Sequence, residues 1–141
     1  MEDNNILVLC TGNSCRSQMA EGYMRHFAGM KANIYSAGVE IHGLNPKAIT
    51  VMSEDGIPIW HHTSNHVDEY GHIAFKYVIT VCDNAKESCP VFMGNAERFH
   101  HNFPDPAQAI GSEDEILIEF RSVRDMIKQY CKDFINNIFP E

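Results

Sequence analysis

The sequence predicts a three-layer α/β domain built on a four-stranded parallel sheet. Three observations carry that expectation. Two short apolar runs, 6–10 (Ile-Leu-Val-Leu-Cys) and 77–82 (Tyr-Val-Ile-Thr-Val-Cys), have the unbroken hydrophobicity of strands covered on both faces. Stretches of helical periodicity lie between the strand candidates, as the crossovers of a parallel sheet require. The chain has 141 residues, enough for one hydrophobic core and too few for two, so 1–141 is expected to form a single domain.

The first run ends in small and polar residues, Thr11-Gly12-Asn13-Ser14, which cannot continue a buried strand. A helix is predicted over 17–27, where Ala20, Tyr23, Met24 and Phe27 share one face and Gly29 supplies the stop. Residues 33–37 read as a second strand. Asn45-Pro46 then pairs an N-cap with a proline at the first helical position, and Ala48, Ile49 and Met52 follow at helical spacing up to Gly56. Residues 63–75 read as a short helix with irregular flanks. After the strand at 77–82, the polar segment 83–88 fits about two helical turns before Pro90, and 97–102 is the fourth strand candidate. Ser112 is a helix N-cap followed by three acidic residues, Glu113 to Glu115, which suit the positive end of a helix dipole. From there Ile116, Phe120, Val123, Ile127, Tyr130, Phe134 and Ile138 form a stripe in steps of four and three, the pattern of a long helix packed along one face.

Composition removes several function classes. Apolar residues make up 44% and charged residues 21%, which argues for a folded globular chain. Eleven Lys and Arg against nineteen Asp and Glu give a formal charge of −8, and the cations (among them Lys31, Lys47, Lys76, Lys86 and Lys128) are scattered, so no nucleic-acid partner is expected. Any anion site must be local, made of backbone N–H groups and one or two placed cations. The apolar run 6–10 is far below the roughly 20 residues of a membrane span and too short for a signal-peptide core. No membrane partner is expected, and the chain is expected in the cytoplasm. In that reducing compartment Cys10, Cys15, Cys82, Cys89 and Cys131 are free, catalytic or metal-bound rather than bridged.

The segment from Cys10 to Ser17 carries the chemistry. Cys10 sits at the carboxyl end of the first strand, and a helix begins about six residues later, where open parallel sheets bind their ligands. A loop of that length can wrap its N–H groups around a tetrahedral oxyanion while the helix adds its positive end. Arg16 can grip two oxygens in a planar fork, which a lysine cannot. The same field favours a thiolate at Cys10, and Ser17 is placed to donate a hydrogen bond to it. Asp105 lies between Pro104 and Pro106, whose rings restrict the backbone on both sides.

The run Cys10-Thr-Gly-Asn-Ser-Cys-Arg-Ser-Gln-Met-Ala-Glu-Gly22 resembles the phosphate-loop signature of the low-molecular-weight tyrosine phosphatase fold. It is most similar to the thioredoxin-coupled arsenate reductases built on that fold. Ser36-Ala-Gly38, His42-Gly-Leu-Asn-Pro46, Val81-Cys82 with Cys89-Pro90, and Asp105-Pro106 extend the match over essentially the whole chain. The resemblance implies a flavodoxin-like domain that binds arsenate through Thr11, Gly12, Asn13, Ser14, Cys15, Arg16 and Ser17. It makes Cys10 the nucleophile and Asp105 the acid that protonates the departing oxygen. Cys82 would then attack the Cys10 sulfur and release arsenite, Cys89 would resolve the Cys10–Cys82 bond, and thioredoxin would reduce the resulting Cys82–Cys89 disulfide.

The alternative is a tyrosine phosphatase, which hydrolyses its cysteinyl-phosphate with water and needs no further thiols. Such enzymes commonly carry an aromatic residue after the Asp-Pro pair, where this chain has Ala107. Cys15 has no redox role in either scheme, and Cys131 falls on the flank of the last helix's stripe as a core residue. Adjacent histidines in a strand point to opposite faces and the 61–66 group falls in an expected loop, so the clusters 61–66 and 100–101 are expected to have surface or structural roles rather than to hold a metal. Resemblance also implies a potassium site made by Asn13, Glu21, Ser36 and position 65, which is Asn65 here where relatives carry an aspartate.

Overall fold

The computed structural model describes residues 4–87 and 95–140. Four strands form one sheet: β1 (Asn5–Cys10), β2 (Asn33–Gly38), β3 (Tyr77–Thr80) and β4 (Glu97–His100). All neighbours are parallel, in the order β2-β1-β3-β4. The helices are α1 (Arg16–Ala28), α2 (Pro46–Glu54), α3 (Asp83–Glu87) and α4 (Glu113–Ile138), with 3-10 turns at Gly29–Lys31, Val67–Tyr70 and Pro106–Gln108.

The unbroken apolar run of β1 has the reason its composition suggested. Ile6, Leu7, Val8 and Leu9 are all fully buried, so side chains on both faces of this central strand are covered. α1 packs against β1, β2 and α4, and α2 packs against α4. On β2, Tyr35 meets Tyr70 and Phe75 edge to face, at centroid distances of 5.3 and 5.4 Å. The stripe of α4 is buried at Phe120, Val123, Ile127 and Phe134, and Cys131 and Ile135 join it.

Helix ends follow the side chains present. Asn45 Oδ1 accepts from the N–H groups of Lys47 and Ala48, with Pro46 opening α2. Ser112 and Glu115 form a reciprocal capping box at α4: Ser112 Oγ accepts from Glu115 N at 3.1 Å, and Glu115 Oε1 accepts from Ser112 N at 3.1 Å. Ser112→Ala is therefore expected to cost about 1 kcal/mol, read as a lower urea midpoint at unchanged m-value. An unchanged midpoint would show that the cap contributes nothing.

Segment 63–75, expected as a short helix, contains only the single 3-10 turn Val67–Tyr70. Its cap is His66 Nδ1, which accepts from Asp68 N, while Glu69 accepts from His66 N. β3 stops at Thr80, two residues before its expected end. Its ladder closes with Val81 N–H on the Leu9 carbonyl, and α3 begins at Asp83. β4 likewise ends at His100, short of residue 102.

The strand order positions the site. β1 to β2 steps to one side of the sheet, and the next crossover carries the chain past β1 to β3 on the other side. The point where the winding reverses lies between the carboxyl ends of β1 and β3, where Cys10 and Cys82 stand.

Candidate active site

Residues 10–15 turn around a cavity of about 260 Å³ lined by Cys10, Thr11, Gly12, Ser14, Cys15, Arg16, His42, Asp105, Ala107 and Gln108. The structure thus brings together the expected nucleophile, loop, arginine and carboxylate, which lie up to 95 positions apart in sequence (105 − 10).

The loop's carbonyls explain its shape. Those of Cys10, Thr11, Gly12 and Ser14 accept from the N–H groups of Val39, Glu40, His42 and Asn45, and that of Asn13 accepts from Gln18 Nε2. In a trans peptide the N–H opposes the C=O, so pinning five successive carbonyls outward turns the N–H groups of residues 11–15 the other way. Two residues permit this. Asn13 adopts φ 49°, a left-handed conformation that asparagine tolerates better than most. At Gly38 a Cβ would lie 2.7 Å from both Asn13 N and the Thr11 carbonyl, so only glycine lets the loop pass.

The polarity of the hydrogen bonds around Cys10 follows from a single amide. Asn13 Oδ1 accepts from Asn65 N–H at 2.7 Å, which leaves Asn13 Nδ2 to donate to Ser17 Oγ (2.9 Å) and Ser36 Oγ (3.0 Å). Ser17 Oγ lies 2.8 Å from Cys10 Sγ, and once Cys10 is a thiolate only the Ser17 hydroxyl has a proton to give across that contact. Ser36 passes its proton to Glu21 Oε1 at 2.6 Å. A second contact of the same form reaches Cys82: Asn84 Nδ2 donates to Thr11 Oγ1 (3.2 Å), which is itself hydrogen-bonded to Cys82 Sγ at 3.2 Å.

Arg16 is anchored by Nη1, which donates to the Phe103 carbonyl at 2.9 Å, while Nη2 stands 3.6 Å from Asp105 Oδ2. Asp105 Oδ1 caps the turn Pro106–Gln108 by accepting from Ala107 N at 3.0 Å, which holds the other oxygen toward the cavity. Cys15 also reaches the cavity, but burial, with the charges of Asp105 and Cys10, drives its thiol strongly upward in pKa and keeps it protonated. Burial alone does the same for Cys131 in the core. Cys89 lies outside the described residues.

The four residues expected to hold potassium lie together, and their side-chain oxygens are hydrogen-bonded within the protein. Glu21 Oε1 is taken by Ser36, and Glu21 Oε2 accepts from Arg25 Nε at 2.9 Å. Asn13 Oδ1 is occupied by Asn65 N–H, and Asn65 Oδ1 accepts from Thr63 Oγ1 at 2.7 Å. The oxygens are already hydrogen-bonded, and a guanidinium supplies the positive charge. No group of three or more His, Cys, Asp or Glu side chains suited to a metal occurs among the described residues. None of the described helices is long and apolar enough to cross a membrane.

Sequence reasoning assigned no role to Gln18, Asn84, His42 or Arg25. Gln18 donates both amide protons, to the carbonyls of Asn13 and Thr63, and so accepts from His62 Nδ1 at 3.0 Å. Burial holds His62 toward its neutral form. His42 packs its ring directly over Gly12. Nothing in local spacing reveals these contacts, because each except Gln18 with Asn13 and Arg25 with Glu21 joins distant segments.

Comparison with known proteins places this geometry. The profile described as "Low molecular weight phosphotyrosine protein phosphatase" matches residues 5–141. Among curated relatives, "Arsenate reductase 2" of Staphylococcus saprophyticus is 46% identical over 137 residues, covering 97% of this chain and 100% of that one. "Arsenate reductase" of Bacillus subtilis is 45% identical over 134 residues, covering 95% and 96%. A solved arsenate reductase in its phosphate-binding state superposes with a TM-score of 0.82 at 29% identity, over 96% of this chain and 98% of the other. An arginine phosphatase shares the fold at 22% identity, with a TM-score of 0.80 over 97% of each chain. With a profile that spans nearly all of its length and relatives this similar, the chain belongs to the low molecular weight phosphotyrosine protein phosphatase family.

Proposed function

We propose that the chain reduces arsenate to arsenite through three thiols and is regenerated by thioredoxin. The observation that carries this reading is the second thiol at the loop: Cys82 is buried, and its Sγ lies 3.2 Å from Oγ1 of Thr11, the residue next to Cys10. Hydrolysis of a phosphomonoester has no use for it, and the curated relatives described above are arsenate reductases.

Arsenate lies against the inward N–H groups and the Arg16 fork, and the Cys10 thiolate attacks arsenic. A sulfur–arsenic bond forms, and one arsenic–oxygen bond breaks, the oxygen leaving as water with a proton from Asp105. The Cys82 thiolate then attacks Cys10 Sγ. As the disulfide forms, the electron pair of the sulfur–arsenic bond stays on arsenic, which falls from As(V) to As(III) and departs as arsenite. Cys89 attacks Cys82 Sγ, freeing the Cys10 thiolate, and the two thiols of thioredoxin reduce the Cys82–Cys89 disulfide.

The deciding experiment couples the protein to thioredoxin, thioredoxin reductase and NADPH. NADPH consumption is expected in proportion to arsenate added, with slow hydrolysis of an aryl phosphate at the same loop. Background NADPH oxidation beside rapid aryl phosphate hydrolysis would reverse the reading in favour of a phosphatase.

A further inference from the structure

Behind the loop, on the side away from the cavity, a buried carboxylate closes the hydrogen-bond chain that begins at the nucleophile. Glu21, on α1, is 7% exposed. The chain runs from Cys10 Sγ through Ser17, Asn13 and Ser36 to Glu21 Oε1, with successive distances of 2.8, 2.9, 3.0 and 2.6 Å. A buried carboxylate in such a place needs a positive partner, because an uncompensated charge is costly to desolvate. Here that partner is another residue of the same helix. One helical turn further on, Arg25 donates Nε–H to Glu21 Oε2 at 2.9 Å, and its Nη2 lies 2.9 Å from the same oxygen. Nη2 also donates to the Ile34 carbonyl of β2 at 2.7 Å, which fixes the guanidinium plane between α1 and the sheet. His62 Nε2 stands farther off, at 3.9 Å.

We propose that Arg25 is a positioning residue for the Cys10 nucleophile, supplying from within the chain the cation that Glu21 requires, so that no bound monovalent ion is needed. The inference rests on Cys10 being the attacking thiol. Without Arg25 the Glu21 charge opposes a thiolate at the other end of the chain, and Ser36 loses a fixed acceptor, which frees Asn13 and Ser17 to reorient. The cavity of about 220 Å³ lined by Glu21, Arg25, Ser36 and Asn65 is open enough for a small cation to enter once the side chain is shortened. The neutral amide at Asn65 is consistent with this: a second carboxylate there would leave a charge that a single arginine does not match.

The test reads Cys10 directly, so its outcome does not depend on the substrate. In a Cys82→Ser, Cys89→Ser background, the rate of Cys10 alkylation by iodoacetamide is followed by the mass of its peptide. Potassium chloride is compared with choline chloride at equal ionic strength, and the melting temperature is measured in both. With Arg25 present, neither the rate nor the melting temperature is expected to depend on potassium. Arg25→Met is expected to alkylate roughly fivefold more slowly in choline, and either potassium or low guanidinium chloride is expected to restore at least half of the lost rate. Arg25→Lys, which keeps the charge, is expected to fall between the two.

Acceleration of the Arg25-containing protein several-fold by potassium would overturn the proposal. So would an Arg25→Met variant that alkylates at full rate in choline, or one slowed but not restored by either cation, since that pattern is purely structural. If Arg25→Met does not fold, the potassium comparison and Arg25→Lys decide. Absence of arsenate turnover by the protein with all its cysteines, with the alkylation pattern intact in the serine background, would refute the reductase reading and leave the role of Arg25 standing.

Discussion

Arg16→Lys is expected to lower arsenate turnover by several hundredfold while leaving the melting temperature nearly unchanged. The charge survives the substitution, so a role limited to attracting an anion predicts a small effect. The geometry predicts a large one. Arg16 uses Nη1 to hold the Phe103 carbonyl at 2.9 Å and keeps Nη2 3.6 Å from Asp105, aimed into the cavity. One planar group thus ties the loop to the segment that carries Asp105 and still has donors free to meet a tetrahedral oxyanion. A lysine ammonium is a point donor that cannot satisfy the carbonyl and grip two oxygens together. Losing one preorganised donor at developing negative charge costs on the order of 10²–10³ in rate. The loss should fall on kcat, measured by NADPH consumption at saturating thioredoxin. A lysine variant that turns over within a few-fold of the parent would remove the bidentate role.

How much of this site could be read from the sequence depends on the range of the contacts. The oxyanion loop was legible because its parts are contiguous: a buried strand, a short loop of small and polar residues, then Arg16 and Ser17 opening a helix. Ser112 and the stripe of α4 were legible for the same reason, since caps and periodicity are local. The ends of β3 and β4 were not. Val81 and Cys82 carry strand-like side chains, yet the backbone leaves the ladder after Val81, and Asn102 Oδ1 instead accepts from Asp83 N at 3.1 Å. A short helix was expected within 63–75, but its bounds at 67–70 were not legible because histidine is an unusual cap, although Glu69 stood at the right spacing. Gln18 with Thr63 and Asn84 with Thr11 join positions 45 and 73 residues apart, and no local pattern encodes such pairs. Arg25 beside Glu21 had the i,i+4 spacing of a helical ion pair, but spacing alone does not say that the carboxylate is buried.

Cys89→Ser is expected to stop the enzyme after a single turnover. One equivalent of arsenite should appear, and mass spectrometry should find a Cys10–Cys82 disulfide that thioredoxin does not clear. The reason lies in the segment after Cys82. α3 follows Cys82 directly, and a helix continued over the seven residues to Cys89 would rise about 10.5 Å, whereas a disulfide needs Cα atoms within about 7 Å. The Cys82–Cys89 bond cannot form while the segment is helical throughout, so α3 is expected to unwind. Its attachments are few and polar: Asp83 N to Asn102 Oδ1, Asp83 Oδ1 to His100 Nε2 at 2.7 Å, and Asn84 to Thr11. Of residues 83–85 only Ala85 is buried, so opening exposes little apolar surface and should be cheap. In the parent enzyme, oxidation should speed amide exchange across 83–87 while Tyr77–Thr80 stays protected by its two parallel neighbours. In Cys89→Ser the exchange should stay slow, because the trapped bond joins Cys10 to Cys82 and leaves the helix in place. Sustained thioredoxin-dependent turnover by the serine variant would sink the relay.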